Sequence, residues 1–431
     1  MSKGWRALRH RNYRLFFGGQ LVSLVGTWMQ SVAQSWLVLQ LTHDPFMLGV
    51  VAAAQFVPVM VFGLFGGLVA DQWPKRRTLM VTQTSAMVLA FILFGLTATH
   101  TVQVWHILVL AVLLGITNAV DMPTRQAFAV EMVGKDDIAN AVALNSAMFN
   151  GARVVGPAVA GLAIAAFDIS IAFLVNGLSF LAVIVAYSLM RHEDLRMPPR
   201  MDRPKTIRAV VDNLAEGLRY VRRTELVLLP TVVIFLVATF GMNFAVLVPA
   251  LTEGVLHSDA AGYGFLMAAS GVGSLVAALG IAFSGRNRPL AIGLGTIALG
   301  IASVVVGASS SFAVTMAAML VIGLGGISMA ATANTTIQLT VPDGLRGRVM
   351  SVYTTVFAGS APIGGLTMGF IASRFGVGEA FMVGGVICSF VGIGAIAWLR
   401  RIKARSAVER PLPKGTPVPS EASTLTTARP R

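Results

Sequence analysis

Residues 46–77 read FMLGVVAAAQFVPVMVFGLFGGLVADQWPKRR: a run without charge over 46–70, then Asp71, then Lys75, Arg76 and Arg77 in quick succession. The hydrocarbon core of a bilayer is about 30 Å thick, which takes about 20 helical residues at about 1.5 Å each. The run meets that length and stops at a basic loop, as a membrane span does. Outward from it, the stretches 15–42, 78–120 and 226–252 are equally free of charge. The whole chain of 431 residues is 55% hydrophobic and 12% charged, against about 25% charged in soluble domains. Its mean hydropathy is +0.75. A large soluble protein with buried helices does not fit these runs, so the solvent for most of the chain is lipid.

Hydropathy and turn residues predict twelve helices, near 15–41, 46–70, 77–98, 102–124, 138–165, 168–190, 226–250, 260–283, 289–310, 312–335, 347–373 and 378–400. The expected fold is an all-α membrane protein with two pseudo-symmetric six-helix bundles, 1–190 and 226–400. Between them, 191–225 is expected to be a cytoplasmic linker. Within it Ile207, Val210, Val211, Leu214, Leu218 and Val221 recur at helical spacing opposite arginines, the pattern of an amphipathic helix on an inner membrane surface. Residues 401–431, rich in Pro, Ser, Thr and Arg, read as a disordered cytoplasmic tail. The halves echo each other: Gly67 to Asp71 against Gly280 to Ser284, and Gly156-Pro157 with Gly161 against Ala361-Pro362 with Gly364 and Gly365.

On this map all but Arg153 and Arg374 of the 33 Lys and Arg fall on one set of connections. Cationic loops stay in the cytoplasm, so both termini are expected there and the protein in the cell (inner) membrane. The same placement turns a net charge of +14 into topology, with no nucleic-acid partner. The basic start, Met1 to Phe17, leads into a run too long for a secretory signal and lacks a small-residue cleavage site. Cys388 is the single cysteine, so no disulfide can form within the chain.

Polar residues inside spans need a partner or a wet cavity. Helix 1 carries Ser23, Thr27, Gln30 and Gln34 along one face; Gln55, Asn118 and Asn243 are isolated polar residues in other spans. Interhelical bonding and substrate lining both fit them; as a candidate substrate path we take Gln30, Gln34, Gln55, Asn118 and Asn243. Asn118, Asp121 and Arg125 share a face of helix 4, and Ser146, Asn150, Arg153 and Pro157 a face of helix 5. A guanidinium about four turns into a span needs a counter-charge, and Asp121 is the expected partner of Arg153. The pair is either a structural lock or a proton-coupling device, with Arg125 beside it. Gly156, Pro157 and Gly161 mark a bend or tight seam. Gly67, Asp71, Lys75, Arg76 and Arg77 are a candidate gate.

The loop after helix 2 resembles the signature of the major facilitator superfamily, Gly-x-Leu-Ala-Asp-Arg-x-Gly-Arg-Arg/Lys, through Gly67, Val69, Ala70, Asp71, Lys75 and Arg76; Gln72 and Pro74 depart from it. Residues 151–161, ending Gly156-Pro157-Ala-Val-Ala160-Gly161, are similar to the helix 5 antiporter motif of drug exporters, with Ala160 in place of a glycine. The stretch 121–157 and the opening RNYRLFFGGQLVSLVGTWMQ (11–30) resemble the enterobactin-exporter-like and macrolide-efflux-like branch. The resemblance covers nearly all of 10–400. It implies a monomeric secondary transporter exporting a drug, macrolide or siderophore by alternating access, with protons as the coupling ion. An importer or facilitator, and more remotely a membrane enzyme or receptor, are the alternatives. No phosphate-binding loop, metal spacing or nucleophile motif is present, so neither enzyme activity nor a cofactor is expected.

Overall fold

The computed structural model describes the backbone of residues 3–134, 136–195, 207–284 and 288–408, and their side chains except at 3–4, 64–71, 207–211, 284 and 406–408. The side chains of Gly67 and Asp71, and the tail from 409, therefore lie outside the described residues. The described chain is helical throughout. A short 3-10 segment, Lys3–Arg9, precedes α1 (Arg11–Thr42), α2 (Pro45–Gln72), α3 (Lys75–Ala98), α4 (Val104–Val133), α5 (Ile138–Ala166) and α6 (Ser170–Ser188). Then come α7 (Ile207–Arg223), α8 (Glu225–Phe240), α9 (Phe244–Gly254), α10 (Ala260–Ser284), α11 (Leu290–Ala308), α12 (Phe312–Thr340), α13 (Asp343–Phe375) and α14 (Val377–Val408).

Among the described residues, eleven stretches, with α8 and α9 counted as one, are long and apolar enough to cross a membrane. The first predicted span, α1, is not among them. At 32 residues it has the length, but Gln20, Ser23, Thr27, Gln30 and Gln34 dilute its apolar character.

Three elements differ from the sequence expectation for identifiable reasons. Helix 4 does not end near 124: α4 runs through Pro123 and Arg125 and stops at Gly134, whose φ of 74° suits a residue without Cβ. The seventh span is broken at 241–243, where the Asn243 amide donates to the Thr239 carbonyl at 2.7 Å and replaces a missing backbone donor. The linker helix exists as α7, but its inward side packs on protein. Val221 is 2% exposed and joins the core with Leu214, and Gly217 abuts the Arg348 backbone of α13.

Helices α2 and α5 of the first half pack against α13 and α10 of the second. Glycines set the approach. Gly49 meets the Gly365 backbone, Gly369 meets Pro45 and Phe46, and Gly161 meets Ala260 and Ala261. Trp36 of α1 stacks on Tyr263 of α10, ring centroids 6.2 Å apart. These contacts lie near the connections poor in Lys and Arg, at the end opposite the basic loops.

Candidate functional site

Asp121 is 1% exposed, in the interior of the first half rather than between the halves. Thr82 Oγ1 and Gln83 Nε2 of α3 donate to its Oδ1 at 2.7 and 2.8 Å. Arg125, one turn on, donates to Oδ2. Arg125 also reaches Gln20 Oε1 of α1 at 3.1 Å, and Gln20 donates to the Tyr187 hydroxyl of α6 at 3.3 Å. One carboxylate thus joins α1, α3, α4 and α6. Such a buried charge persists because both oxygens accept hydrogen bonds, one of them from a guanidinium. The expected Asp121–Arg153 pair does not form: Arg125 is closer in register on the same helix and takes the carboxylate.

The gate residues divide. Lys75 Nζ pairs with Glu131 Oε1 of α4 at 2.6 Å, and Arg76 Nη2 donates to the Ser188 carbonyl at the end of α6 at 2.9 Å. A cation there also meets the negative end of the helix. Arg77 is exposed. The described basic residues of this loop therefore tie helices of one half together and do not reach across to the other.

A second cluster was invisible in the sequence. Asp137, just before α5, receives His10 Nε2 and Arg9 Nη2 at 2.8 Å each and lies 3.2 Å from Arg6 Nε. The His10 hydrogen bond, with Arg9 and Arg6, holds its carboxyl below the usual carboxylate range. Asn140 accepts from the Ala7 backbone at 2.8 Å, so the amino-terminal segment is strapped across the start of α5.

The helix 5 motif serves two neighbours. Gly156 lies against Val25 and Trp28 of α1, while Pro157 and Gly161 face Gly264 and Ala260 of α10. Pro157 lacks the N–H that would bond the Arg153 carbonyl. A methyl on Gly271 of α10 would fall 3.0 Å from that same oxygen, so the second half packs closely where the helix is unbonded.

Arg153 itself has no carboxylate partner among the described residues. Its guanidinium carbon stands 5.9 Å from the Trp28 ring centre, and Trp28 meets Phe149 edge-on at 5.7 Å.

Two members of the candidate substrate path are engaged in hydrogen bonds within the helices' packing. Gln30 is buried and accepts from Asn176 of α6 at 2.6 Å, and Asn243 caps the break in the seventh span. The small side chains around Gly26 bring α1 and α6 close enough for that bond. Gln34, Gln55 and Asn118 are half-buried, with no side-chain hydrogen bond among the described residues. A wholly different feature, an apolar groove of about 500 Å³ lined by Leu21, Val25, Met29, Val159 and Leu178, runs between α1, α5 and α6 and touches none of them.

Comparison with known proteins agrees with this architecture. The staphyloferrin A transporter of Staphylococcus aureus (strain NCTC 8325 / PS 47) is 25% identical over 86% of this chain and 92% of its own. The multidrug efflux pump Tap of Mycolicibacterium fortuitum is 28% identical over 91% and 96%. Among solved structures, the POT family transporter PepTSo superposes with a TM-score of 0.72 at 14% identity, covering 92% of this chain and 99% of that one. The family profile described as transmembrane secretion effector matches residues 2–420. With its helices paired α2 to α13 and α5 to α10, the chain belongs to this family of major facilitator superfamily transporters and is a multi-pass membrane protein, not an enzyme.

Proposed function

We propose that the protein exports a small amphipathic molecule, of the drug, macrolide or siderophore class, by alternating access in exchange for protons. The observation that carries this reading is the one-sided seam. The halves approach through Gly49–Gly365, Gly161–Ala260 and Trp36–Tyr263 in the part of the spans away from the basic loops, and the contact reaches mid-span at Arg153–Gly271 and Met60–Gly359. A path closed at that end and open at the other is one of the two states that alternating access requires. The bundles are 1–190 and 226–400, α1 is the twelfth span, and both termini face the cytoplasm of the cell membrane, where the monomer works. The basic connections support that orientation. Gln34, Gln55 and Asn118 line the path. The efflux pump among the relatives supports the direction.

Asp121 is the proton site in this reading. Protonation would remove the negative charge that pairs with Arg125 and weaken the bonds from Thr82 and Gln83, loosening α3 from α4 and biasing the half-bundle between states. The test is transport by the full-length protein in proteoliposomes with an imposed pH gradient, scanning siderophores, macrolides and dyes. Gradient-driven efflux is expected in the wild type. Asp121→Asn is expected to abolish gradient-driven flux while exchange of labelled for unlabelled cargo continues. Intact gradient-driven flux in that variant would remove Asp121 from coupling, and flux that runs only inward would favour an importer.

A further inference from the structure

Two acids lie near Arg153 in the chain order of the spans, and both are taken: Asp121 by Arg125 and Glu131 by Lys75. A guanidinium about four turns into a span is costly unless a counter-charge or water meets it. The described residues supply Arg153 with an aromatic ring in place of a counter-charge. Yet the side chain is only partly buried, as is Trp28, and Phe149 is 47% exposed. The cluster therefore presents a positive charge and an apolar shelf to open space. It also sits on the seam, since the carbonyl of Arg153 is the one that Gly271 of the opposite half packs against. Arginine suits such a role, because its planar fork binds a carboxylate through two N–H groups and its flat face stays on the ring.

We infer that Arg153, Trp28 and Phe149 form the cargo-docking point, and that the cargo is an amphipathic anion with its carboxylate on Arg153 and its apolar body on the two rings. This rests on the transport reading above and narrows its cargo from amphipathic molecules in general to anionic ones. A cationic amphipath is disfavoured at this point by like charge. Because the site touches the seam, filling it neutralises the charge where the halves meet, which gives bound and empty protein different preferences between states.

Three matched probes test this: 1-naphthoate, 1-naphthamide and 1-naphthylmethylammonium, titrated against the full-length protein in phosphatidylcholine nanodiscs, with empty discs subtracted. Naphthoate is expected to bind saturably and more tightly than the amide, and the ammonium most weakly. Arg153→Gln should weaken naphthoate by about tenfold to hundredfold, the scale of a charge-assisted bond, and leave the amide unchanged. Arg153→Lys should retain part of the preference for the anion, and Trp28→Leu should weaken acid and amide alike. Absence of saturable naphthoate binding, equal binding of the three probes, or an unchanged preference in Arg153→Gln that still melts as the wild type does, would overturn the assignment. Repeating the titration in phosphatidylglycerol discs separates cargo from lipid. Unchanged affinity supports a soluble anion, and competitive loss would assign the arginine to lipid headgroups instead. Binding is read without transport, so anion-selective binding with no flux would sink the transport reading alone.

Discussion

The two halves hold themselves together by different chemistry. In the first, long-range side-chain bonds between charged and polar groups cross from helix to helix: Asp121 to α3 and Arg125, Lys75 to Glu131, and Asp137 to the amino-terminal strap. In the second, the described hydroxyls of Thr231, Thr252, Thr296, Ser303 and Thr336 turn back to the carbonyl four residues earlier on their own helix. Backbone contact replaces them. Gly293, Gly300 and Gly307 of α11 face Gly392, Gly385 and Gly378 of α14 in an antiparallel ladder. Steps of seven residues keep the small positions on one face, as in other tight membrane helix pairs. Among the described residues, the interior of the first half is thus tied by groups that can change charge and that of the second by groups that cannot; the ion pairs Glu216–Arg348 and Glu225–Arg405 lie at the exposed surface.

Breaking each kind of tie separately tests the contrast. The largest effect is expected in the first half. Asp121→Ala strands the largely buried Arg125 guanidinium, a loss of about 3–5 kcal/mol by analogy with other buried pairs, read as a lowered thermal midpoint in detergent. Asp121→Ala with Arg125→Leu should regain much of it, because no charge is left unmatched. If the double variant is no more stable than the single, the network is not the tie described. In the second half, Gly300→Val pushes a side chain into the Gly385 carbonyl and Ser389. Overpacking of this kind costs about 1–3 kcal/mol, and the loss should be independent of pH. A pH-dependent loss there would erase the distinction between the halves.

Much of this was open to a reader of the sequence. Charge-free runs gave the spans, because lipid leaves a backbone only the helix or the closed barrel and runs of this length without alternation suit the helix, and Arg153 stood out as a charge inside one. The partners were harder. Asp121 and Arg125 share a face at i, i+4, yet the sequence favoured Arg153 because a lone charge in a span demands a counter-ion more loudly than a local pair does. Thr82, Gln83 and Gln20 carried only the weak signal of being polar within apolar runs. Their convergence depends on how four helices pack. The glycine ladder was written in plain heptads at 293, 300 and 307 and at 378, 385 and 392, but spacing on one helix does not say which other helix it faces. Averaged hydropathy also could not see the break at 241–243, where a single Asn side chain replaces a backbone bond.

Smaller effects follow at the surface. Between the linker helix α7 and α13 of the second half, Glu216 and Arg348 pair at 2.5 Å but are 46% and 38% exposed, so Glu216→Gln should change the thermal midpoint little, within about 1 kcal/mol. Asp137 of the first half is a sharper case, since its partners come from a segment that has no span to hold it. The His10 hydrogen bond, with Arg9 and Arg6, keeps its folded carboxyl below the ordinary range, so the unfolded segment binds the proton more readily than the docked one. Docking is therefore strongest above the ordinary carboxylate pKa of about 3.9 and is lost only as the pH falls through the lower, folded value. Brief trypsin treatment at neutral pH should cut after Arg6 and Arg9 slowly in the wild type and quickly in Asp137→Asn, with the α1 to α14 core intact. A pepsin pulse at decreasing pH should find the wild-type strap protected at pH values where a free carboxylate is already half protonated. Equal cutting of wild type and variant would mean that Asn140 and Tyr13, which also bond across this region, hold the strap without the charge. The charged ties of the first half would then end at the membrane's edge, with Lys75 and Glu131.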